Sequence, residues 1–320
     1  MTGELHVVLG ATGGMGTAVV QALGESGLDV RAVNRSGSAN VPAGGSALAA
    51  DVSTREGAAR AVEGAAVVYH CAQPEYTRWG SELLPMTAAI ADACEAVGAK
   101  LVLGDNLYMY APVTGPIRED SPTRPTSKKG QLRLAMADDL LDRSRAGRLR
   151  VAIGRASDYF GPHGADSTPG ALLFAPLAKG RKPRWMGRLD APHTLNYLPD
   201  VGRALVTLGT SAEADGKVWV LPASEPLTGS QWLEAAAEAV GRSLRPAVVS
   251  PAMNRMAGIF IPMVRELNEI MYQFTQPFVV DDSAFRTTFR DAVRTTPNLD
   301  ALRTTTAWFE AAQAGAKTSA

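Results

Sequence analysis

An apolar run, Val7-Val8-Leu9, passes without a break into Gly10-Ala11-Thr12-Gly13-Gly14-Met15-Gly16 and then into a helical pattern from Thr17 through Leu23. A strand that turns at once into a helix needs three things. One residue must turn tightly, one must let its backbone be approached, and one must let helix and strand touch; Gly10, Gly13 and Gly16 supply these in order. The helix N–H groups and the positive end of its dipole then converge on the turn, a setting suited to a pyrophosphate. The segment reads as a dinucleotide-binding strand–turn–helix, with Thr12, Gly14 and Met15 completing the loop.

The same alternation continues through the first half of the chain. Apolar runs at His6–Leu9, Val30–Val33, Ala66–His70, Leu101–Gly104 and Val151–Gly154 read as strands. Between them, Thr17–Leu23, Thr54–Glu63, Leu83–Val97 and Leu132–Arg145 read as helices. Strict alternation predicts an α/β fold with a doubly wound parallel sheet of the Rossmann type. From Gly161 onward turn signals accumulate, at Gly161-Pro162-His163-Gly164, Pro169-Gly170 and Lys182-Pro183. A further strand and helix, Thr194–Leu198 and Asp200–Gly209, follow, and helical stretches recur at Ser230–Val240 and Ala301–Ala312. The expected division is a dinucleotide-binding domain over 1–162, joined again by 193–220, and a smaller, mainly helical substrate-binding region from 163–192 and 221–320.

Charge narrows the partners. The 320 residues carry 32 basic and 32 acidic side chains, and no basic block stands out, so nucleic acid and an anionic membrane surface are not expected. No apolar run approaches the ~20 residues that span a bilayer, and no secretory signal pattern opens the sequence, so a cytoplasmic protein is expected. Cys71 and Cys94 lack metal-ligand spacing and read as two reduced thiols. No metal site is expected.

The end of the second strand carries Asn34-Arg35-Ser36, with no carboxylate to accept from a ribose 2′-hydroxyl. Arg35 beside Ser36 suits a 2′-phosphate, which favours NADP, with NAD as the alternative. Asp51-Val52 is placed to meet the adenine, and Cys71-Ala72 closes the next strand with small residues under the cofactor.

These marks, together with Arg155-Ala156-Ser157-Asp158-Tyr159-Phe160-Gly161-Pro162 and Asn196-Tyr197-Leu198-Pro199-Asp200-Val201-Gly202-Arg203-Ala204, resemble the extended short-chain dehydrogenase/reductases of the epimerase/dehydratase-like group. The resemblance implies a Rossmann fold, a nicotinamide cofactor, and a relay of Ser or Thr with a Tyr-x-x-x-Lys pair. None of the relay residues stands in its place. The Tyr and Lys positions hold Lys129 and Arg133, and the Ser/Thr position, four residues before Tyr110, holds Asn106. A cation one helical turn away depresses a lysine pKa, so Lys129 beside Arg133 is a candidate acid. The Asn106 amide is a candidate donor to a carbonyl oxygen, and Tyr108, two residues on, is a second candidate acid if the strand continues. Alternatively, Lys129 and Arg133 hold ribose and phosphate groups while Tyr108 packs.

On the substrate side, Asp158 occupies the position of the family's substrate-facing Asn, and His193 that of its diphosphate-gripping Arg. Trp185 and Met186 are expected in one pocket wall. The stretch with Met253, Met256, Phe260, Met263, Met271 and Phe274 reads as core closing the other side. The sequence thus predicts an NAD(P)-dependent oxidoreductase acting on a carbonyl-type small molecule with non-standard acid residues. Two alternatives remain: a nucleotide-sugar epimerase or dehydratase, and a catalytically silent NAD(P)-binding sensor. By resemblance a homodimer is expected, formed through the helices near Leu83–Val97 and Leu132–Arg145.

Overall fold

The computed structural model describes residues 3–110 and 114–318. Seven strands form one sheet, each with a parallel neighbour: β1 His6–Leu9, β2 Val30–Asn34, β3 Ser46–Ala49, β4 Val67–His70, β5 Lys100–Asp105, β6 Val151–Arg155 and β7 Lys217–Val220. Their order is β7-β6-β5-β4-β1-β2-β3. The reversal of direction beside β1 creates the crevice at the carboxyl strand ends where open α/β sheets take ligands.

Side-chain alternation sorts the strands' apolar residues onto two faces. Val7, Leu9, Leu101, Leu103, Val151 and Ile153 face helices α2 (Arg55–Val62), α3 (Trp79–Val97) and α4 (Lys128–Arg145). Val8, Ala32, Val102 and Ala152 face α1 (Gly14–Glu25) and α5 (Leu198–Thr210). The last two helices touch closely because Gly202 has no side chain: a Cβ there would strike the Ala18 carbonyl. Local sequence sets the ends of the others. Thr54 and Ser127 cap α2 and α4 by accepting from the Gly57 and Gly130 amides, each at 3.0 Å, and α3 stops at Gly98 with φ +70°.

A second core lies outside the sheet. The Phe160 ring stacks at 5.8 Å from Phe174 and meets Tyr197 and Trp232 at 5.5 and 5.6 Å. Residues 193–220 lead back to the sheet through α5 and β7.

Three elements differ from expectation. Strand β3 is too short and too exposed to stand out by pattern. Helices Pro251–Phe260 and Pro262–Leu267 stand between the two helical stretches singled out in the mainly helical C-terminal region, and edge strand β7 was not among the expected strands. The methionine-rich stretch is not uniformly core: Met271 and Phe274 are buried, while Met253, Met256 and Phe260 are exposed, Phe260 by 85%. The first of these helices ends at Phe260, and Pro262 opens the next. The Met263 side chain lies outside the described residues.

Candidate active site

A cavity of about 1850 Å³ runs along the carboxyl ends of the strands. One end is built by the glycine turn. Gly10 has φ +77°, and a Cβ there would lie 2.7 Å from the Ala72 backbone. Gly16 is buried against the Gly10 carbonyl and holds α1 to β1 rather than lining the cavity. Gly13 is exposed, adopts an extended conformation as the N-cap and supplies no side-chain cap, so the first amides of α1 stay open to the cavity. Thr12, Gly14 and Met15 also line it. These features fit a dinucleotide pyrophosphate.

Toward the adenosine end, Asn34, Arg35, Ser36, Asp51 and Val52 line the cavity, as do Cys71 and Ala72 further in. Asn34 is occupied in shaping its own loop: its amide donates to the Ser38 carbonyl at 2.8 Å and accepts from the Gly37 amide at 2.6 Å. Arg35 and Ser36 stand exposed beyond it. Hydrogen bonds from Ser53, with Arg35 a lesser influence, hold the Asp51 carboxyl below its usual range. Burial pushes the Cys71 thiol up to about 12.

At the far end stand Asn106, Tyr108 and Asp158. Strand β5 stops at Asp105, because Asn106 Oδ1 accepts from the Tyr108 amide at 3.1 Å and starts a turn. The strand therefore does not carry both side chains to one face; the turn brings them there. Asn106 Nδ2 has no protein partner among the described residues. Burial, followed by the neighbouring Tyr76 and Asp158, holds the Tyr108 phenol well above its ordinary value, so it stays a neutral donor.

Lys129 and Arg133 depart from the expected relay. Lys129 is only 4% exposed and does not line the cavity. Its ammonium donates to the Tyr76 carbonyl at 2.8 Å, pairs with Glu266 at 2.8 Å and sits 4.0 Å over the Tyr76 ring. An ammonium with these partners is turned away from proton transfer in the cavity. Arg133 is buried behind Trp79, 4.2 Å from its ring, and pairs with Asp105 at 3.3 Å. Asp105 is shared with Arg155 at 3.2 Å, and Arg155 donates to the Tyr110 hydroxyl at 2.8 Å. Arg133 Nε and Nη2 have no partner among the described residues. Tyr76 and Trp79 were the missed residues here, and two aromatics three apart after β4 were the signal that could have found them.

Two substrate-side residues also stand differently than expected. Trp185 is buried, donating to the Arg188 carbonyl at 3.1 Å, and does not line the cavity. Strand pairing of Arg184–Met186 with Ala247–Val249 turns Arg184 and Met186 to the cavity instead. His193 lies behind Asp158, at 2.9 Å from its Oδ2, and reaches the cavity only through it.

The family model described as NAD dependent epimerase/dehydratase family matches residues 6–221. The chain belongs to this family. A nucleoside-diphosphate-sugar epimerase from Pseudomonas aeruginosa shares 20% identity at a TM-score of 0.74, over 97% of this chain and 98% of that one. UDP-glucose 4-epimerase from Thermus thermophilus, in complex with NAD, shares 19% at 0.77, over 96% and 99%. UDP-glucuronic acid 4-epimerase from Bacillus cereus, also with NAD, shares 16% at 0.77, over 96% and 99%. The comparison with curated protein sequences returned no match. At these identities the solved structures share the fold with this family member. No helix among its described residues is long and apolar enough to cross a membrane.

Proposed function

We propose that this member of the epimerase/dehydratase family is a nicotinamide-dependent enzyme acting at an alcohol or carbonyl carbon of a small molecule. The observation that carries the reading is continuity: one cavity joins the glycine turn to Asn106, Tyr108 and Asp158. A bound nicotinamide supplies a two-electron acceptor or donor there. The open amides at the start of α1 hold the pyrophosphate. Arg35 and Ser36, with no carboxylate at the end of β2, favour a 2′-phosphate and hence NADP over NAD. Asn106 Nδ2 donates to the substrate oxygen, and the neutral Tyr108 phenol backs it.

The family match and the nucleotide-sugar enzymes among its structural neighbours favour a nucleotide sugar, oxidised and re-reduced at one carbon. A second reading, reduction of an apolar carbonyl compound, is favoured by the wall of Met186, Val249, Met253, Ala257, Ile261 and Phe278, and by His193 in place of a diphosphate-binding Arg. The test is direct. Full-length protein is incubated with UDP-glucose or UDP-glucuronic acid plus NAD, and separately with 9,10-phenanthrenequinone plus NADPH. An epimerised sugar detected by proton NMR supports the first reading, and NADPH oxidation with the quinone alone supports the second. Tight NADPH binding with turnover of neither, on these and a wider panel, contradicts both and favours the silent sensor.

Pairing of two copies through α3 and α4 belongs to the same proposal. A groove between these helices is lined by Leu84, Pro85, Ala88 and Ala135, with Leu84 and Val97 exposed. Light scattering at twice the chain mass supports it, and a monomeric mass removes it.

A further inference from the structure

We infer that Asp158 and His193 hold a proton at the cavity wall, and that Asp158 gives it to, or recovers it from, the substrate oxygen. This rests on the nicotinamide-dependent reading and names the group that takes over proton transfer where the family's Tyr is absent.

The argument starts from which atoms face which. His193 is 3% exposed. Its Nδ1 lies 3.1 Å from the Gln273 carbonyl oxygen and its Nε2 lies 2.9 Å from Asp158 Oδ2. A carbonyl oxygen only accepts, so Nδ1 carries a hydrogen. A neutral ring protonated at Nδ1 has a bare Nε2, and two bare lone pairs do not settle at that separation. One further proton therefore lies between Nε2 and Oδ2. Aromatic neighbours fix the ring: Phe274 stacks at 4.9 Å and 7°, Phe278 at 5.4 Å, and Trp185 meets it edge-on at 6.4 Å.

The carboxylate is the half of the pair that meets the cavity. Its second oxygen, Oδ1, has no protein partner among the described residues. The titratable groups around it are phenols. Burial first, and Asp158 among the further causes, raises Tyr76, Tyr108, Tyr159 and Tyr272, so all four stay neutral donors around the carboxylate. Lys129 lies beyond Tyr76 and is paired with Glu266. An Asn at position 158 would hold no transferable proton; an Asp backed by a histidine does.

In the reducing direction, a bound reduced nicotinamide would supply a hydride to the substrate carbonyl carbon, and the carbonyl π pair would move to oxygen. That oxygen takes the proton from the Asp158–His193 pair and becomes a hydroxyl. The pair is left as a carboxylate and a neutral imidazole with hydrogen on Nδ1, and a water proton restores it. In the oxidising direction each transfer reverses.

The test reads the proton without needing turnover. Four histidines make the ring signals of the 15N-labelled full chain assignable, with His193→Gln identifying the relevant pair. Protons at both Nδ1 and Nε2 of His193, with the Nε2 signal lost in Asp158→Asn, support the inference. A wild-type His193 showing Nδ1–H alone and a bare Nε2 overturns it. Turnover supplies the second arm, with whichever of the two substrate probes above the wild type converts. Asp158→Asn and His193→Gln should lower kcat about 10²–10⁴-fold with KM little changed, and Asp158→Glu should recover part of the loss. Circular dichroism melting of each variant separates this from misfolding, and folded variants with wild-type kcat overturn the inference. A wild type that binds NADPH but converts neither probe counts against the proposed function, while the ring signals still decide the proton.

Discussion

Lys129 Nζ lies 2.8 Å from Glu266 Oε2, so the cation at the family's Tyr position is neutralised by a residue from the far end of the chain. Glu269 adds to the same clamp by accepting from the Lys128 amide at 3.0 Å, where the negative charge also meets the positive end of α4. The clamp makes Lys129 a structural bond between α4, the Tyr76 turn and the C-terminal region.

Lys129 and Glu266 should therefore respond to mutation through stability rather than chemistry. Glu266→Gln leaves a buried cation short of its counter-charge and should cost about 1–3 kcal/mol in urea unfolding. Lys129→Met replaces the cation with an apolar chain of similar size and should cost less, about 1 kcal/mol or below. Its kcat should stay close to wild type. A Lys129→Met variant that folds but has lost turnover would return Lys129 to the relay.

The glycine turn separates binding from folding. Gly16→Ala forces a Cβ into the Gly10 carbonyl and should destabilise by about 1–3 kcal/mol. Gly13 already has φ −74°, and the nearest atom to an added Cβ is 3.5 Å away. Gly13→Ala should keep its melting temperature while blocking close approach of a pyrophosphate. Calorimetric titration with NADPH should show at least about tenfold weaker binding, the equivalent of ~1.4 kcal/mol. Unchanged affinity would contradict the assignment of this turn to the cofactor.

Arg35 sets the choice between the two cofactors. Arg35→Ala should lose about 1.5–3 kcal/mol of charge-assisted bonding to the 2′-phosphate, an order of magnitude or more in NADPH affinity, while NADH binding stays unchanged. Equal effects on both, measured by titration, would remove the NADP preference.

Much of this was legible in the sequence, and its limits have physical causes. Alternation located five of the seven sheet strands, and the glycine spacing located the turn, because both signals are local; the edge strand β7 was not located by it. Strand β3 escaped because an exposed edge strand needs no apolar run. The fates of Lys129 and Arg133 escaped for another reason. Spacing placed them on one helix face, but their partners Tyr76, Trp79, Asp105 and Glu266 come from other elements, and no local pattern reports such pairings. The place of His193 escaped as well: it lies behind Asp158, held by the Gln273 carbonyl, and no local pattern reports either contact.

Acid should unfold the chain partly through His70. Burial, with Arg133 nearby, pushes this imidazole down to about 3, so the folded state stays unprotonated while the unfolded chain binds a proton below its ordinary 6.5. A depressed folded pKa means the stabilisation is present above pH 6.5 and is lost as pH falls toward 3. Through that window the slope should be about 1.4 kcal/mol per pH unit from this group alone. His70→Gln should flatten it in urea titrations at stepped pH. An unchanged slope would contradict the buried neutral imidazole.

The most direct test of the whole account is a crystal structure with NADPH bound. It should show the pyrophosphate on the amides that open α1, the 2′-phosphate against Arg35, and the nicotinamide between Asn106, Tyr108 and Asp158. A nucleotide that does not bind, or one whose nicotinamide lies away from those three side chains, would contradict it.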